Sequence, residues 1–107
     1  MTDCIAVLVT AGTREEAERI AETLVMERLA ACVNVVGPIT SIYHWEGRVE
    51  RGQELLLVIK TRAALFEQLE ARVRSLHSYQ NPEVIALPIS AGAAAYLDWL
   101  RGETPAP

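Results

Sequence analysis

The sequence predicts a single α+β domain with the element order β-α-β-β-α-β, a ferredoxin-like antiparallel sheet with both main helices on one face. Three observations predict it. Two segments show the apolar spacing of amphipathic helices, four apolar segments suit strands, and a Glu-Gly pair joins two of those strands as a hairpin. The 107 residues suffice for one core and are too few for two. We therefore expect residues 1–107 to form one domain.

A strand and a helix come first. Residues 4–9 form a short apolar run that suits a strand buried on both faces. Thr13 and Glu16 have the spacing of a capping box, which starts a helix, and apolar residues recur at helical spacing over residues 17–29. Charged residues fill the other face. We therefore expect an amphipathic helix that packs on the sheet.

A long hairpin follows. Residues 32–45 predict one strand, bent or bulged at the Gly-Pro step 37–38 because proline cannot donate to the ladder, and residues 54–60 predict the third strand. Tyr43 and Trp45 lie two residues apart, so in an extended strand their rings share a face. Such a hairpin projects its rings either into a pocket or against another chain.

The second half of the chain supplies a helix, a strand and a last short helix. Residues 65–76 carry the second helical stripe, and residues 84–89 predict the fourth strand, whose proline places part of it at a sheet edge. The last helix is expected over residues 93–100, with Gly102 as its C-terminal stop. Residues 103–107 are expected to form a flexible tail.

Charge, hydropathy and cysteine spacing limit the partners. A net charge of -4, with basic residues spread among acidic ones, argues against a nucleic-acid surface. No apolar run reaches the roughly 20 residues of a membrane helix. Cys4 and Cys32 lack the spacing of a metal or redox motif, so they are interpreted as reduced, buried thiols. We expect a cytoplasmic protein with no nucleic-acid and no membrane partner.

The predicted sheet has one face that the main helices do not cover. The third strand is apolar at consecutive positions, which indicates burial on both of its faces, and only the short last helix remains to cover the second face. The simplest way to bury this second face is self-association of the chain. We expect edge pairing between subunits that closes a ring and leaves no free edge.

The residue types argue against catalysis. Small ferredoxin-like domains include acyl-phosphate hydrolases that use an Arg and an Asn, but Arg28 and Asn34 lack the loop pattern that would cradle a phosphate. The chain has no Ser-His-Asp set, no paired-carboxylate motif and no glycine-rich phosphate loop. Gly12 is better explained as a tight turn before the first helix. We therefore predict a protein that is not an enzyme.

Several segments together resemble the CutA family of divalent-cation tolerance proteins. They occur in the family's order and spacing and span nearly the whole chain, at residues 27–34, 41–47, 59–61, 77–79, 82–83, 87–89 and 96–100. The resemblance implies a ferredoxin-like subunit in a homotrimer built like the trimeric PII signal-transduction proteins. It also implies a role in the response to metal ions and affinity for copper(II) or another divalent cation.

The chain departs from the family pattern at the positions linked to copper. The usual His-Pro-Tyr is His77-Ser78-Tyr79 here, and some members carry a Cys and a second His where this chain has Thr10 and Leu76. These departures leave fewer ligands than the family's copper-linked members have.

The metal-ligand candidates are His77, Glu83 and Cys32. A neutral imidazole suits Cu(II) or Zn(II), Glu83 follows His77 across a turn, and Cys32 could join as a soft ligand if a trimer brings it near. The alternative is that His77 caps the second helix and hydrogen-bonds Glu83. No metal is expected to be required for folding.

The pocket candidates are polar and aromatic groups expected at an intersubunit cleft, and they resemble the family's pocket: Tyr43, Trp45, Glu54, Lys60, Tyr79 and Glu83. Lys60 between carboxylates could orient a small anionic or zwitterionic ligand. Alternatively, Lys60 pairs with Glu54 or Glu83 and the rings fill the trimer seam.

Two classes of function therefore remain open. One is a trimeric protein that binds metal ions or a small ligand, and the other is a trimeric scaffold that recruits an unknown protein partner. In the second class, exposed hairpin residues such as His44 and Arg48 would contact the partner.

Overall fold

The computed structural model describes residues 2–105. In chain order the elements are β1 (Cys4–Ala11), α1 (Arg14–Met26), β2 (Cys32–Trp45), β3 (Arg48–Arg62), a single 3-10 turn (Ala63–Leu65), α2 (Phe66–Leu76), β4 (Val84–Pro88) and α3 (Ala94–Glu103). The strands form one antiparallel sheet in the order β2-β3-β1-β4. The predicted ferredoxin-like α+β fold is confirmed, and β4, with its proline, is an edge strand as expected.

The core lies between the sheet and the helices α1 and α2. Alternate residues of β1 and β3 point toward the helices because successive side chains of a strand face opposite sides. Together they form one cluster whose fully buried members include Val7, Val9, Ile20, Leu24, Leu57, Ile59, Leu69 and Val73. Apolar burial of this kind is the main stabilising contribution in a domain of this size.

The opposite sheet face, which we call the open face, is apolar and only partly covered. Strand pairing puts Leu8, Leu56, Val58, Ile85 and Leu87 on it, and the last two are each 50% exposed. Helix α3 covers one end, where Leu97 and Leu100 bury Cys4. The rest of the open face has no cover within the described chain.

The hairpin extends β2 and β3 beyond the other strands. The bend predicted at the Gly-Pro step is confirmed, since the β2–β3 register shifts between Val36 and Ile39. The tip is a two-residue turn in which Glu46 and Gly47 have φ values of 51° and 79°. Positive φ at both positions is the type I′ geometry, whose twist matches that of the flanking strands.

The start of α1 forms only half of the predicted capping box. The Thr13 hydroxyl accepts a hydrogen bond from the Glu16 N–H at 3.1 Å, but the Glu16 carboxylate does not bond back to Thr13. Instead it bonds Ser78, in the loop after α2, through the Ser78 N–H and hydroxyl. Glu16 is therefore buried and joins two distant segments.

Two predictions about the C-terminal end are wrong. Gly102 does not stop α3, because the helix continues through it to Glu103. Thr104 is not part of a flexible tail, since it is fully buried and its hydroxyl donates to the Leu100 carbonyl oxygen at 2.7 Å. Pro105 is exposed, and residues 106 and 107 of the predicted tail lie outside the described residues.

Both cysteines in the described chain are free thiols. Cys4 is buried, as predicted, and Cys32 is only half-buried. Within residues 2–105, no helix is long and apolar enough to cross a membrane.

Candidate functional site

A groove lies beside the hairpin, where the loop after α2 passes the end of β1. Its volume is about 520 Å³, within the range of small-molecule sites. The lining side chains, which define the groove from here on, are Thr10, Ser41, Ile42, Tyr43, Trp45, Glu54, Tyr79, Gln80, Asn81 and Glu83. The structure thus brings together all but one of the predicted pocket residues.

Tyr79 is fixed at the back of the groove by a bond to Glu54. Its phenol donates to Oε2 of Glu54 at 2.7 Å. Burial, then the hydrogen bond and negative charge of Glu54, raise the pKa of Tyr79, so the phenol stays protonated at neutral pH. A Cβ on Gly12 would lie 3.2 Å from the Tyr79 hydroxyl oxygen. Gly12 therefore does more than form the predicted turn, because its missing side chain leaves room for the Tyr79 ring.

The His77 imidazole lies directly behind the groove with both nitrogens engaged. Nε2 lies 2.7 Å from the Thr10 carbonyl oxygen, and Nδ1 accepts from the Tyr79 N–H at 3.0 Å. Because a carbonyl can only accept, these partners assign the proton to Nε2 of a neutral ring. His77 follows the end of α2, as predicted. The alternative hydrogen bond from His77 to Glu83 is not formed, because Nε2–H of His77 donates to the Thr10 carbonyl oxygen instead.

The loop that carries His77 and Tyr79 is also fixed by Glu16. Glu16 is 6% exposed, and its carboxylate accepts hydrogen bonds from the Ser78 N–H at 2.8 Å and from the Ser78 hydroxyl at 3.1 Å. Burial alone would raise the pKa of Glu16, but the two hydrogen bonds from Ser78, together with the positive charge of Arg19, hold that pKa below its ordinary value.

Lys60 and Cys32 lie at the far end of the sheet from the groove. They oppose each other across β2 and β3, and Lys60 also opposes Ala6 of β1. Thr10, which lines the groove, lies four residues after Ala6 in β1, and this separation is about 13 Å at the usual rise per residue of a strand. The Lys60 ammonium bonds the Asn34 side-chain oxygen, so the predicted pairing with Glu54 or Glu83 is not formed.

The three predicted metal ligands do not meet within one subunit. His77 lies behind the groove, Glu83 lines it, and Cys32 is at the opposite end of the sheet. Between residues 2 and 105, no three His, Cys, Asp or Glu side chains are grouped to hold a metal ion. Any site that includes all three ligands therefore needs a second subunit.

Sequence reasoning missed the residues that hold the groove together. Glu16 was interpreted as part of a capping box and Ser78 only as a departure from the family's His-Pro-Tyr, although the two residues bond each other across 62 positions. The departure from His-Pro-Tyr was the available signal, because a Ser in place of Pro adds an N–H and a hydroxyl that need acceptors.

The comparisons with known proteins agree with this geometry. A family model described as CutA1 divalent ion tolerance protein matches residues 5–103. The divalent-cation tolerance protein CutA of Thermus thermophilus is 54% identical over 92% of this chain and 95% of that protein. A solved structure of the divalent cation tolerance protein from that organism has a TM-score of 0.93 at 52% identity, over 95% of this chain and 99% of the other.

More distant relatives agree as well. The chloroplastic CutA of Arabidopsis thaliana is 50% identical over 94% of this chain, which spans about half (55%) of that protein's length. The solved structure named periplasmic divalent cation tolerance protein CutA, from Archaeoglobus fulgidus, has a TM-score of 0.93 at 39% identity, over 95% of this chain and 99% of that one. The chain belongs to the family of CutA1 divalent ion tolerance proteins.

Proposed function

We propose that the chain is a homotrimer that binds divalent metal ions, copper(II) among them, in the response to metal ions. One observation carries the metal proposal: two carboxylates, Glu54 and Glu83, line the groove beside the loop that carries His77, and a metal would take Nδ1 of that imidazole in place of the Tyr79 N–H. Carboxylate oxygens and neutral imidazole are ligands that divalent transition metals accept. Cys32 would contribute only from a neighbouring subunit.

The open face supports the trimer. Ile85 and Leu87 expose half of their surface beside further apolar side chains, and β2 and β4 are both sheet edges. A closed ring of subunits covers such a face and pairs such edges, as in the architecture of PII proteins. Ile85→Glu should therefore lower the molar mass measured by light scattering, whereas Met26→Glu, at an 82% exposed position on α1, should leave it unchanged.

The protein is proposed to act without catalysis and to fold without metal. The groove's lining offers no nucleophile activated by a neighbouring base, and the core is built from apolar side chains. We place it in the cytoplasm. Its relatives carry chloroplastic and periplasmic names, so fractionation of the source cells tests that placement directly.

The metal proposal is tested by titrating Cu(II) into metal-free protein at near-neutral pH in a calorimeter. Saturable binding at a fixed ratio per subunit is expected, with loss in His77→Ala and weakening in Glu83→Gln and Cys32→Ser. His44, the other histidine of the chain, is exposed on the hairpin, so His44→Ala is the matched control. Unsaturable heats, or equal effects of the two histidine variants, would refute the site.

A second candidate function, sensing a small organic ligand, is favoured by the aromatic lining of the groove. Tyr43, Trp45 and Tyr79 present rings in a groove of about 520 Å³, which is more apolar contact than a metal ion needs. A pure scaffold is the remaining alternative. In that case His44 and Arg48, rather than groove residues, would control partner binding.

A further inference from the structure

We infer that the groove is a site for a small organic cation, an ammonium compound held between aromatic rings and carboxylates. The inference deepens the second candidate function, ligand sensing, and does not depend on metal binding. It replaces the anionic or zwitterionic ligand suggested by the sequence, because Lys60 is not in the groove.

The groove contains negative charge with no opposing charge in its lining. Glu54 and Glu83 are the charged residues of the lining, and none of its described side chains is Lys or Arg. Arg48, which opposes Trp45 across the hairpin, pairs with Glu50 at 3.8 Å and stays 81% exposed. A bound cation would therefore be attracted by the groove's own carboxylates.

The position of Glu54 keeps its charge available to a ligand. Tyr79 donates one proton to Oε2, and a carboxylate has several further acceptor positions on its two oxygens. No hydrogen bond or ion pair within the described chain engages Oε1 of Glu54 or the carboxylate of Glu83. The Tyr79 bond thus orients Glu54 without neutralising it, since the raised pKa of Tyr79 keeps the phenol protonated.

Besides the two carboxylates, three aromatic side chains form the site. Tyr43 and Trp45 share one face of the hairpin and line the groove with 47% and 45% of their surface exposed, and Tyr79 is 37% exposed. Exposed aromatic faces attract cations through their quadrupole, most strongly for Trp. Rings with adjacent carboxylates form the combination that recognises alkylammonium groups, whose methyl groups pack on the rings while the charge faces the carboxylates.

The size of the groove indicates a small molecule rather than a protein segment. About 520 Å³ lies within the range of small-molecule sites, and a protein interface buries a far larger, flatter surface. The occupant is therefore a free ammonium compound.

The test uses Trp45 as its own reporter. The chain has two tryptophans, so Trp99→Phe leaves Trp45 as the single one in the full chain, and light scattering checks that the variant keeps the molar mass of the wild type. Choline is titrated into this protein in the presence of EDTA, and its neutral isostere 3,3-dimethylbutan-1-ol is titrated in parallel. Removing metal separates this test from the copper titration, so either proposal can fail alone.

We expect choline to change Trp45 fluorescence saturably, and the neutral isostere to bind at least about tenfold more weakly, a difference of about 1.4 kcal/mol. Glu54→Gln should weaken choline binding by a similar factor, whereas Glu67→Gln, at an exposed position on α2, should not. Tyr43→Leu should weaken it, and Tyr43→Phe, which keeps a ring, should restore it.

Three results would overturn the inference. Equal binding of choline and the isostere would show an apolar groove without selectivity for cations. If Trp45 fluorescence does not change saturably up to about 10 mM choline, the groove is not an ammonium site, because binding weaker than the millimolar range corresponds to less than about 4 kcal/mol of binding free energy. A lysine-containing peptide that binds more tightly than choline would assign the groove to a protein partner.

Discussion

Glu16→Gln should destabilise the protein by about 2 kcal/mol. Glu16 is 6% exposed, and its carboxylate accepts two hydrogen bonds from Ser78, at 2.8 and 3.1 Å. Hydrogen bonds to a charged group are worth roughly 1.5–3 kcal/mol each, and an amide retains one acceptor oxygen, so about one such bond is lost. Urea unfolding at fixed protein concentration measures the difference, since self-association makes stability depend on concentration. Glu15→Gln, at the exposed neighbouring position, is the matched control.

The stability difference should depend on pH in one direction. The pKa of Glu16 is held below its ordinary value, so the ionised carboxylate stabilises the fold at any pH above that ordinary pKa. As pH falls through the lower folded-state pKa, wild type loses this contribution and approaches the Glu16→Gln variant. A gap that stays constant or widens on acidification, or a variant as stable as wild type at pH 7, would refute the reasoning.

Three further substitutions test local geometry. Glu46→Asn should stabilise the hairpin by about 0.5–1 kcal/mol, because Asn adopts a φ near 51° at lower cost than Glu; thermal unfolding measures it. Thr104→Val should cost about 1 kcal/mol in urea unfolding, because it removes the buried bond to the Leu100 carbonyl. Gly12→Ala should not bring the usual stabilisation of Gly-to-Ala changes, about 0.4–1 kcal/mol, since its Cβ would press on the Tyr79 hydroxyl; it should also weaken choline binding.

Matched positions make these outcomes decisive. Thr23 makes the same kind of backbone bond as Thr104 but is only half-buried, so Thr23→Val should cost less. Gly52→Ala places its Cβ in open space, so it should be tolerated better than Gly12→Ala. Equal costs for Thr104→Val and Thr23→Val would contradict the role given to burial. Equal effects of Gly12→Ala and Gly52→Ala would contradict the role given to the Tyr79 contact. A destabilised Glu46→Asn variant would contradict the turn assignment.

Features encoded locally could be predicted from the sequence. The spacing of apolar residues marked α1 and α2, and the Glu-Gly pair marked the hairpin tip, because periodicity and turn chemistry act over a few neighbouring residues. The rings of Tyr43 and Trp45 were placed on one face by alternation alone.

Features fixed by distant pairing could not be predicted. Whether Lys60 reaches the groove depends on the register of β2, β3 and β1, which places it at the far end of the sheet. The Glu16–Ser78 bond joins residues 62 positions apart and has no periodic signal. Gly102 was misjudged because Thr104, just past the end of α3, buries its side chain and bonds Leu100, which favours helix through the glycine.

The central position of β1 has a consequence for how the protein is made. Of the four strands this one leaves the ribosome before the others, yet its partners are β3 and β4, with pairs as distant as Ile5 with Pro88. The apolar residues of β1 therefore have no strand partner until β3 has been synthesised, and the second partner, β4, follows later still. Such long-range pairing slows folding and leaves a β-prone segment exposed to aggregation. This strand order therefore requires that β1 does not pair with strands of other chains before β3 and β4 have been synthesised.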